Sequence, residues 1–352
     1  MKFSQTLTGR FALRSLILLS MVVVSLAGVG LPRPAVADEL AACMTEMLLQ
    51  SSDSTTVGEI RARCSERLEA ERIESEALAQ QDTQPAVVVD RLEQDRKQVL
   101  QPFTIMAHKP NYFLAAAYNS RGYDAEPHRQ QYRDPSIEFD DTEAQFQISL
   151  KAPLWVDLFD KVDIYAAYTN RSFWQVYNSE LSSPFRETNH EPEVWAQFTP
   201  SWEIFGFRNL ANSIGVVHQS NGQGGVLSRS WNRVYANFIF AKGNFAFGIK
   251  PWIRISESAE NDDNPDITDY MGHFEWRAGY EWKDNVFSFM SRNNLESGFD
   301  RGAIEFGWSF PLWKYPYLKG YIQYFNGYGE SLIDYNHRVN RIGIGISLTD
   351  WL

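Results

Sequence analysis

From Asn111 to Leu352 the sequence alternates between apolar and polar residues, and this alternation restricts the possible folds more than any other feature. About twelve segments of about ten residues show it, separated by turn-rich stretches such as 260–265 and 327–329. A strand points its side chains alternately to its two faces, so a period of two predicts an all-β domain. The clearest apolar series are Phe146, Ile148 and Leu150; Phe274, Trp276, Ala278, Tyr280 and Trp282; Ile304, Phe306, Trp308 and Phe310; and Ile342, Ile344, Ile346 and Leu348.

Two architectures satisfy this pattern. In a soluble sandwich or barrel the apolar faces pack inward, whereas in an outer-membrane barrel they contact lipid and the polar faces fill the lumen. An export signal, large aromatic residues near the segment ends and charged residues on the polar faces favour the second architecture. Closure is required in lipid, because an open sheet edge would leave backbone groups unpaired. We therefore predict an antiparallel transmembrane β-barrel of twelve strands at 106–352, located in the outer membrane.

Residues 1–37 have the features of a secretory signal peptide. Lys2, Arg10 and Arg14 precede the apolar run 16–30, and Ala35-Val36-Ala37 provides a small-x-small cleavage site. The alternative is a single membrane anchor, but the run is short for the roughly 20 apolar residues that a spanning helix needs. We expect cleavage after Ala37 and export to an oxidising compartment.

The region after the cleavage site is predicted to be a small helical extension, 38–80. Its two cysteines, Cys43 and Cys64, lie close together in an exported chain and most simply form one disulfide. Thr56 and Glu59 have the spacing of a capping box and predict a helix start. There is no Cys-x-x-Cys motif, so a structural bridge is favoured over redox catalysis. Residues 81–105 are polar and are predicted to be a linker.

The composition excludes some classes of function. Aromatic residues make up 14% of the chain, a share too high for a disordered protein. The formal net charge is −11, with 33 Lys plus Arg against 44 Asp plus Glu. A basic patch that could neutralise phosphates is missing from the sequence, so we predict no nucleic-acid partner.

Three polar residues interrupt the apolar faces of two neighbouring predicted strands. If Val216 faces lipid, the period of two places His218 and Ser220 on the same outward face. In the next segment Asn232 shares the parity of apolar Val234. A polar side chain on a lipid face is costly unless it is paired or has a function.

These three side chains are of the types that an acyl hydrolase requires. A serine hydroxyl becomes a good nucleophile when an imidazole accepts its proton, and residues two apart on a strand have Cα atoms about 7 Å apart. The Asn232 carboxamide could orient the His218 ring as the acid does in a Ser-His-Asp triad. The alternative is an ordinary rim motif bonded to loops and headgroups. From the residues alone that alternative is favoured, because His-x-Ser is common by chance.

Several longer motifs resemble the outer membrane phospholipase A family of Gram-negative bacteria. They occur in the family's order and spread over most of the chain from about Gln101 to the end, but not over the region with the two cysteines. The motifs are Ser182–Asn189, His218–Gly222, Ser228–Arg233, Lys250–Trp252, Asp262–Thr268 and Gly327–Asn336.

This resemblance implies a twelve-stranded barrel with its active site on the lipid-facing wall. It also implies a calcium-dependent acyl hydrolase with phospholipase A1, phospholipase A2 and lysophospholipase activity on membrane phospholipids, active as a homodimer. The roles of nucleophile, general base and orienting residue fall on Ser220, His218 and Asn232. The Gly222 amide would help to bind the oxyanion.

The resemblance further implies calcium ligands. They would be the backbone carbonyls of Gln223 and Ser228 and the hydroxyl of Ser182 from the partner subunit. The family usually has arginine where this chain has Gln223, but a carbonyl ligand does not depend on the side chain. An aspartate of a second calcium site falls on Gly225, which leaves Asp263 without that partner. A solvated turn is the alternative interpretation of Asp263 and its acidic neighbours.

Two rival functions come from other classes. A passive porin-like channel accounts for the signal peptide and the alternation, but it leaves the outward polar residues unexplained. A soluble secreted β-hydrolase would need the aromatic faces buried. The polar faces could line a pore or form a packed plug, and the narrowness of a twelve-stranded barrel favours the plug. The lumen-facing charges are Glu275, Arg277, Glu281, Glu305 and Lys319.

Overall fold

The computed structural model describes residues 36–50, 55–83, 86–99, 101, 104–159, 161–181, 185–200, 202–294, 297–298, 300–313 and 315–351. Most of the predicted signal peptide and the predicted calcium ligand Ser182 lie outside the described residues. Two compact units are present, and the division falls between Leu78 and Ala79. In the described ranges, no helix is both long enough and apolar enough to cross a membrane.

The first unit contains helix α1 (Val36–Gln50) and most of helix α2 (Val57–Thr83). The sulfur atoms of Cys43 and Cys64 form a disulfide that joins the two helices. The predicted capping box is confirmed: the Thr56 amide donates to the Glu59 carboxylate at 3.0 Å, and the Glu59 amide donates to the Thr56 hydroxyl at 3.3 Å. The bonds that the Thr56 amide and hydroxyl donate to the Glu59 carboxylate lower the pKa of Glu59.

The second unit is built on a closed antiparallel barrel. Each long strand pairs with the next long strand along the chain, and the last pairs with the first, so the predicted barrel of twelve strands is confirmed. Two strands of two residues, β1 and β6, add to β3 and β7. The strands are β1 (Met106–Ala107), β2 (Asn111–Asn119), β3 (Thr142–Leu158), β4 (Val162–Trp174), β5 (Phe185–Phe198), β6 (Glu203–Ile204), β7 (Phe207–Ser220), β8 (Ser230–Lys242), β9 (Phe245–Ile255), β10 (Phe274–Trp282), β11 (Asn285–Asn293), β12 (Gly302–Leu312), β13 (Tyr315–Gly327) and β14 (Val339–Thr349).

The apolar faces of the strands point outward, as predicted. A soluble barrel would bury these side chains, whereas an outer-membrane barrel exposes them to lipid. The soluble alternative is therefore wrong. Exposed apolar side chains on the strands include Ile148, Leu150, Ile214, Val216, Tyr280, Trp282, Phe306, Trp308, Ile342, Ile344 and Leu348.

The polar faces of the strands point into the interior, where charged side chains pair with one another. The Arg186 guanidinium donates two hydrogen bonds of 3.0 Å to the Glu143 carboxylate and also binds Asp334, and all three residues are buried. A second cluster joins Arg341 to Glu330. A charge taken out of water needs such a partner. These clusters occupy the loop end of the interior, whereas a cavity of about 240 Å³ lies among inward-facing charged residues further along the barrel.

The two ends of the barrel differ in the length of their connections. Short turns such as 243–244 and 283–284 join strands at one end, and long loops join them at the other. Two of the long loops carry helices α4 (Glu126–Tyr132) and α5 (Ile267–Met271). Outer-membrane barrels place short turns in the periplasm and long loops outside the cell.

The prediction of a linker at 81–105 is wrong for most of that range. Residues Ala86–Val99 form helix α3, which contacts the short-turn end of the barrel. Asp95 pairs with Lys151 at 2.6 Å, and Arg96 pairs with Asp163 at 2.9 Å. These ion pairs and the buried side chain of Val99 hold the helix. Its many charged residues suggested a linker.

The buried Arg186 cluster predicts a large effect on stability. Arg186→Met should lower the free energy of unfolding by about 3–5 kcal/mol, because Glu143 and Asp334 would remain as buried carboxylates without their partner. Urea unfolding of the detergent-folded barrel, followed by tryptophan fluorescence, measures the change. Arg338→Met is the control, since Arg338 is exposed, and it should change stability by less than about 1 kcal/mol. Equal losses in both variants would contradict the assigned role of the cluster.

Candidate active site

The three candidate residues lie on the outer wall of the barrel. His218 and Ser220 are at the end of β7, and Asn232 is near the start of β8, next to the loop 221–229. His218 is directly opposite Asn232 in the register of the two strands. Val216, on the same face of β7, is 51% exposed, and His218 is also exposed. The parity argument therefore placed these residues on the correct side of the sheet.

A hydrogen bond of 2.8 Å joins His218 Nδ1 to Asn232 Oδ1. The amide oxygen can only accept, so Nδ1 carries the proton and Nε2 is left as the basic nitrogen. Ser220 is two residues further along the same face. Among the described residues, no hydrogen bond joins the Ser220 hydroxyl to His218; such bonds often tighten only when substrate binds.

The asparagine makes a further bond that the sequence analysis missed. Asn232 Nδ2 donates to Glu257 Oε1 at 3.0 Å. Glu257 follows the end of β9, two residues after Ile255, which is opposite Asn232 in the register. Parity along β9 could have indicated its outward direction, but only knowledge of the register could have placed it beside Asn232.

His190 on β5 was also missed. It is opposite Ser220 in the register, and its Nδ1 is 2.6 Å from the Tyr168 hydroxyl. A Cβ atom at Gly222 would be 3.6 Å from the His190 ring. This imidazole therefore lies beside both Ser220 and Gly222.

The buried side chain of Asn221 organises the loop after Ser220. Its Oδ1 accepts bonds from the amides of Gln223 at 3.2 Å and Arg229 at 3.1 Å, and its Nδ2 donates to the Leu227 carbonyl at 2.7 Å. Gly222 within this loop has a φ of +63°, a conformation that favours glycine. Asn221 was not predicted as a site residue, although it lies in the quoted motif.

Helix α4 supports the same loop from the side. Gln131 Oε1 accepts a bond of 3.1 Å from the Val226 amide. On the same helix His128 Nε2 is 3.1 Å from the Arg186 carbonyl. Burial lowers the pKa of His128, so the ring is held in its neutral form.

The predicted calcium ligands are only partly within the described residues. Gln223 and Ser228 are on the loop 221–229. The Ser228 carbonyl accepts a bond of 2.6 Å from Arg229 Nη1, and the Ser228 hydroxyl donates to Asp263 Oδ2 at 2.5 Å. Ser182, predicted to act on a partner's site, lies outside the described part of the chain.

Three aspartates in the loop 256–273 have different hydrogen-bond partners. Asp262 binds Arg254 at 2.6 Å, Asp263 accepts from Ser228, and Asp266 accepts from the Tyr335 hydroxyl at 2.5 Å. Each of these carboxylates therefore ties the loop to a different neighbour.

Comparisons with known proteins identify the family. A family model described as Phospholipase A1 matches residues 88–348. Phospholipase A1 of Klebsiella pneumoniae is 37% identical over 257 residues, covering 71% of this chain and 84% of the relative. Phospholipase A1 of Escherichia coli strain K12 is 37% identical over 250 residues, covering 71% and 83%.

Comparison with solved structures identifies the same family. Outer membrane phospholipase A from Escherichia coli matches with a TM-score of 0.65 and 36% identity, covering 71% of this chain and 100% of that one. A Salmonella typhi outer membrane phospholipase dimer with bound calcium has the same TM-score and identity, covering 72% and 96%. The predicted outer-membrane location is confirmed by these matches and by the exposed apolar faces. The chain therefore belongs to the phospholipase A1 family of enzymes.

Proposed function

We propose that this protein hydrolyses acyl esters of phospholipids and lysophospholipids at the lipid-facing wall of its barrel. Ser220 is the nucleophile, His218 the general base and Asn232 the residue that orients the base. The observation that carries the proposal is the bond of 2.8 Å between His218 Nδ1 and Asn232 Oδ1 on an exposed face of a phospholipase-family barrel. In support, one solved relative from Escherichia coli is an active-site mutant in which an asparagine is replaced by alanine.

The reaction is acyl transfer in two steps. The Ser220 oxygen attacks the ester carbonyl carbon while His218 Nε2 takes the hydroxyl proton. The bond to the alcohol then breaks, His218 returns the proton to the departing alkoxide, and an acyl-enzyme remains. In the second step water gives a proton to His218 and its oxygen attacks the acyl carbon. The ester bond to the Ser220 oxygen then breaks, His218 returns the proton to that oxygen, and the fatty acid is released.

Negative charge develops on the carbonyl oxygen in each step. The Gly222 amide is the proposed donor to this oxygen. Donors fixed in place before the reaction are the most effective, because they need no reorganisation. Asn221 provides that fixation, since it bonds three backbone groups of the loop that contains Gly222.

Calcium fits the oxygen donors of the same loop. The proposed ligands are the carbonyls of Gln223 and Ser228 and the hydroxyl of Ser182 from the partner subunit, and Ca²⁺ prefers oxygen ligands. The Ser228 carbonyl already faces the positive charge of Arg229, 2.6 Å away, so the Arg229 guanidinium has to move before a metal ion can take its place. Bound calcium would act as a Lewis acid that stabilises the oxyanion. A second site at Asp263 stays a prediction without support.

Activation by dimerisation follows from where the nucleophile lies. A nucleophile on the lipid face would attack the host membrane whenever the site is complete. If Ser182 of the partner subunit completes the calcium site, a monomer lacks full stabilisation of the oxyanion. The exposed apolar wall around Val216 and Val234 could pack against a second copy. A solved relative described as a calcium-bound dimer supports this regulation.

Replacement of the nucleophile tests the function. Ser220→Ala should abolish the release of fatty acid from phospholipid in mixed micelles, because no acyl-enzyme can form. The heat-dependent gel mobility of the folded barrel should be unchanged. Ser230→Ala is a matched control, since Ser230 is opposite Ser220 in the register, and it should retain activity. Undiminished hydrolysis by Ser220→Ala would reject the proposed nucleophile.

Complementation tests the shared calcium site. Ser182→Ala and Ser220→Ala homodimers should each be impaired, with calcium present in the assay. In a 1:1 mixture, half of the dimers are heterodimers, and each heterodimer contains one site with both serines intact. Activity should then recover to about a quarter of the wild-type value, as a two-fold interface requires. A mixture no more active than its components would contradict a site that includes the partner's Ser182.

A further inference from the structure

The hydrolytic site extends to a third strand. His218 on β7 bonds to Asn232 on β8, and Asn232 bonds in turn to Glu257 at the end of β9. The two distances are 2.8 Å and 3.0 Å. A carboxylate therefore lies at the far end of a line of hydrogen bonds that begins at the proposed general base.

Glu257 reaches this position because of the strand register. Ile255 is opposite Asn232 and faces outward, 45% exposed. Glu257 comes two residues later, so it continues the same outward face beyond the last bonded pair. The side chain is half-buried, whereas Glu260 in the same loop is exposed.

The loop that carries Glu257 is held at several points. Arg254 bonds to the Asp262 carboxylate at 2.6 Å and to the Pro265 carbonyl at 3.1 Å. At Ser258, the residue after Glu257, the backbone carbonyl accepts a bond of 2.8 Å from the Asn261 amide. These bonds restrict the conformation of the loop, and they therefore help to hold Glu257 beside Asn232.

We infer that Glu257 is a positioning residue, which acts through Asn232 to orient and polarise the hydrogen bond to His218. The inference rests on the proposed function. A carboxamide can present either its oxygen or its NH₂ group to an imidazole, and only the oxygen selects the tautomer that leaves Nε2 basic. An ionised carboxylate only accepts, so it holds the NH₂ group on its own side and turns the oxygen toward His218.

Glu257 also supplies the negative charge that asparagine lacks. In a Ser-His-Asp triad the acid stabilises the imidazolium that forms during attack. Here the neutral amide transmits part of that effect, because a hydrogen bond to a charged acceptor is stronger than a neutral one and adjacent bonds polarise one another. In that triad one aspartate both orients the imidazole and supplies the negative charge. Here Asn232 orients the imidazole and Glu257 supplies the charge.

Single substitutions measure the size of the effect. Glu257→Ala should lower kcat about tenfold, the factor that corresponds to about 1.4 kcal/mol of transition-state stabilisation. Glu257→Gln keeps an acceptor without the charge and should lower kcat about threefold, since charge-assisted bonds are about twice as strong as neutral ones. KM should change little in both variants. Glu260→Gln removes the same charge from an exposed position of the loop and should leave kcat unchanged.

A double substitution separates positioning from a general role in loop structure. Asn232→Asp places a carboxylate against the Glu257 carboxylate, so its activity should fall more than tenfold through like-charge repulsion. Adding Glu257→Gln supplies an NH₂ donor to the new acid and should restore most of the lost kcat. If Glu257 only supports the loop, the fold-losses in kcat of Asn232→Asp and Glu257→Gln should instead multiply in the double variant.

The outcomes distinguish this inference from the proposed function. The rate at which a fluorophosphonate probe labels Ser220 should follow kcat across the series, and labelling of Ser220→Ala should be absent. Activity or labelling in Ser220→Ala would overturn the proposed function itself. An inactive Ser220→Ala together with multiplying losses in the double variant, or an unchanged kcat in Glu257→Ala, would overturn the role of Glu257 alone.

Discussion

In lipid, every backbone amide and carbonyl must find its partner within the protein, and the rest of this structure depends on that constraint. The backbone hydrogen bonds between β14 and β2 satisfy this constraint, because they close the sheet. The closed barrel has an interior and an exterior surface. The alternating sequence places polar side chains on the interior surface and apolar side chains on the exterior one. Buried groups such as Glu143 and Arg186 can be tolerated because they are paired inside the barrel.

The proposed active site uses the outside of this barrel, where polar groups are least expected. His218, Asn232 and Glu257 bond to one another across neighbouring strands, so these three outward-facing polar side chains are paired. The rigid sheet sets their spacing. The proposed nucleophile lies on the lipid-facing wall, so an ester in the membrane would approach it from the side and not through the lumen.

The period of two was sufficient to predict the barrel, the exposed face and the outward direction of His218, Ser220 and Asn232, because it is a local property of each strand. The register between strands is not local, since it depends on loop lengths and on the stagger of the whole barrel. For this reason His190 beside Ser220 and Glu257 beside Asn232 could not be found. Helix α3 was missed because its charged residues suggested a polar linker, whereas Asp95 and Arg96 pair with charged residues of the barrel that are distant in the sequence.

The contacts of α3 also bear on how the barrel is assembled. Arg91 donates to the Asp350 carbonyl just beyond the last strand, while Asp95 binds Lys151 on β3, on the other side of the seam between β14 and β2. One short helix thus contacts both sides of the β14–β2 pairing that closes the barrel. The two contacts can exist together only when the first and last strands are paired, and they then resist the separation of those strands.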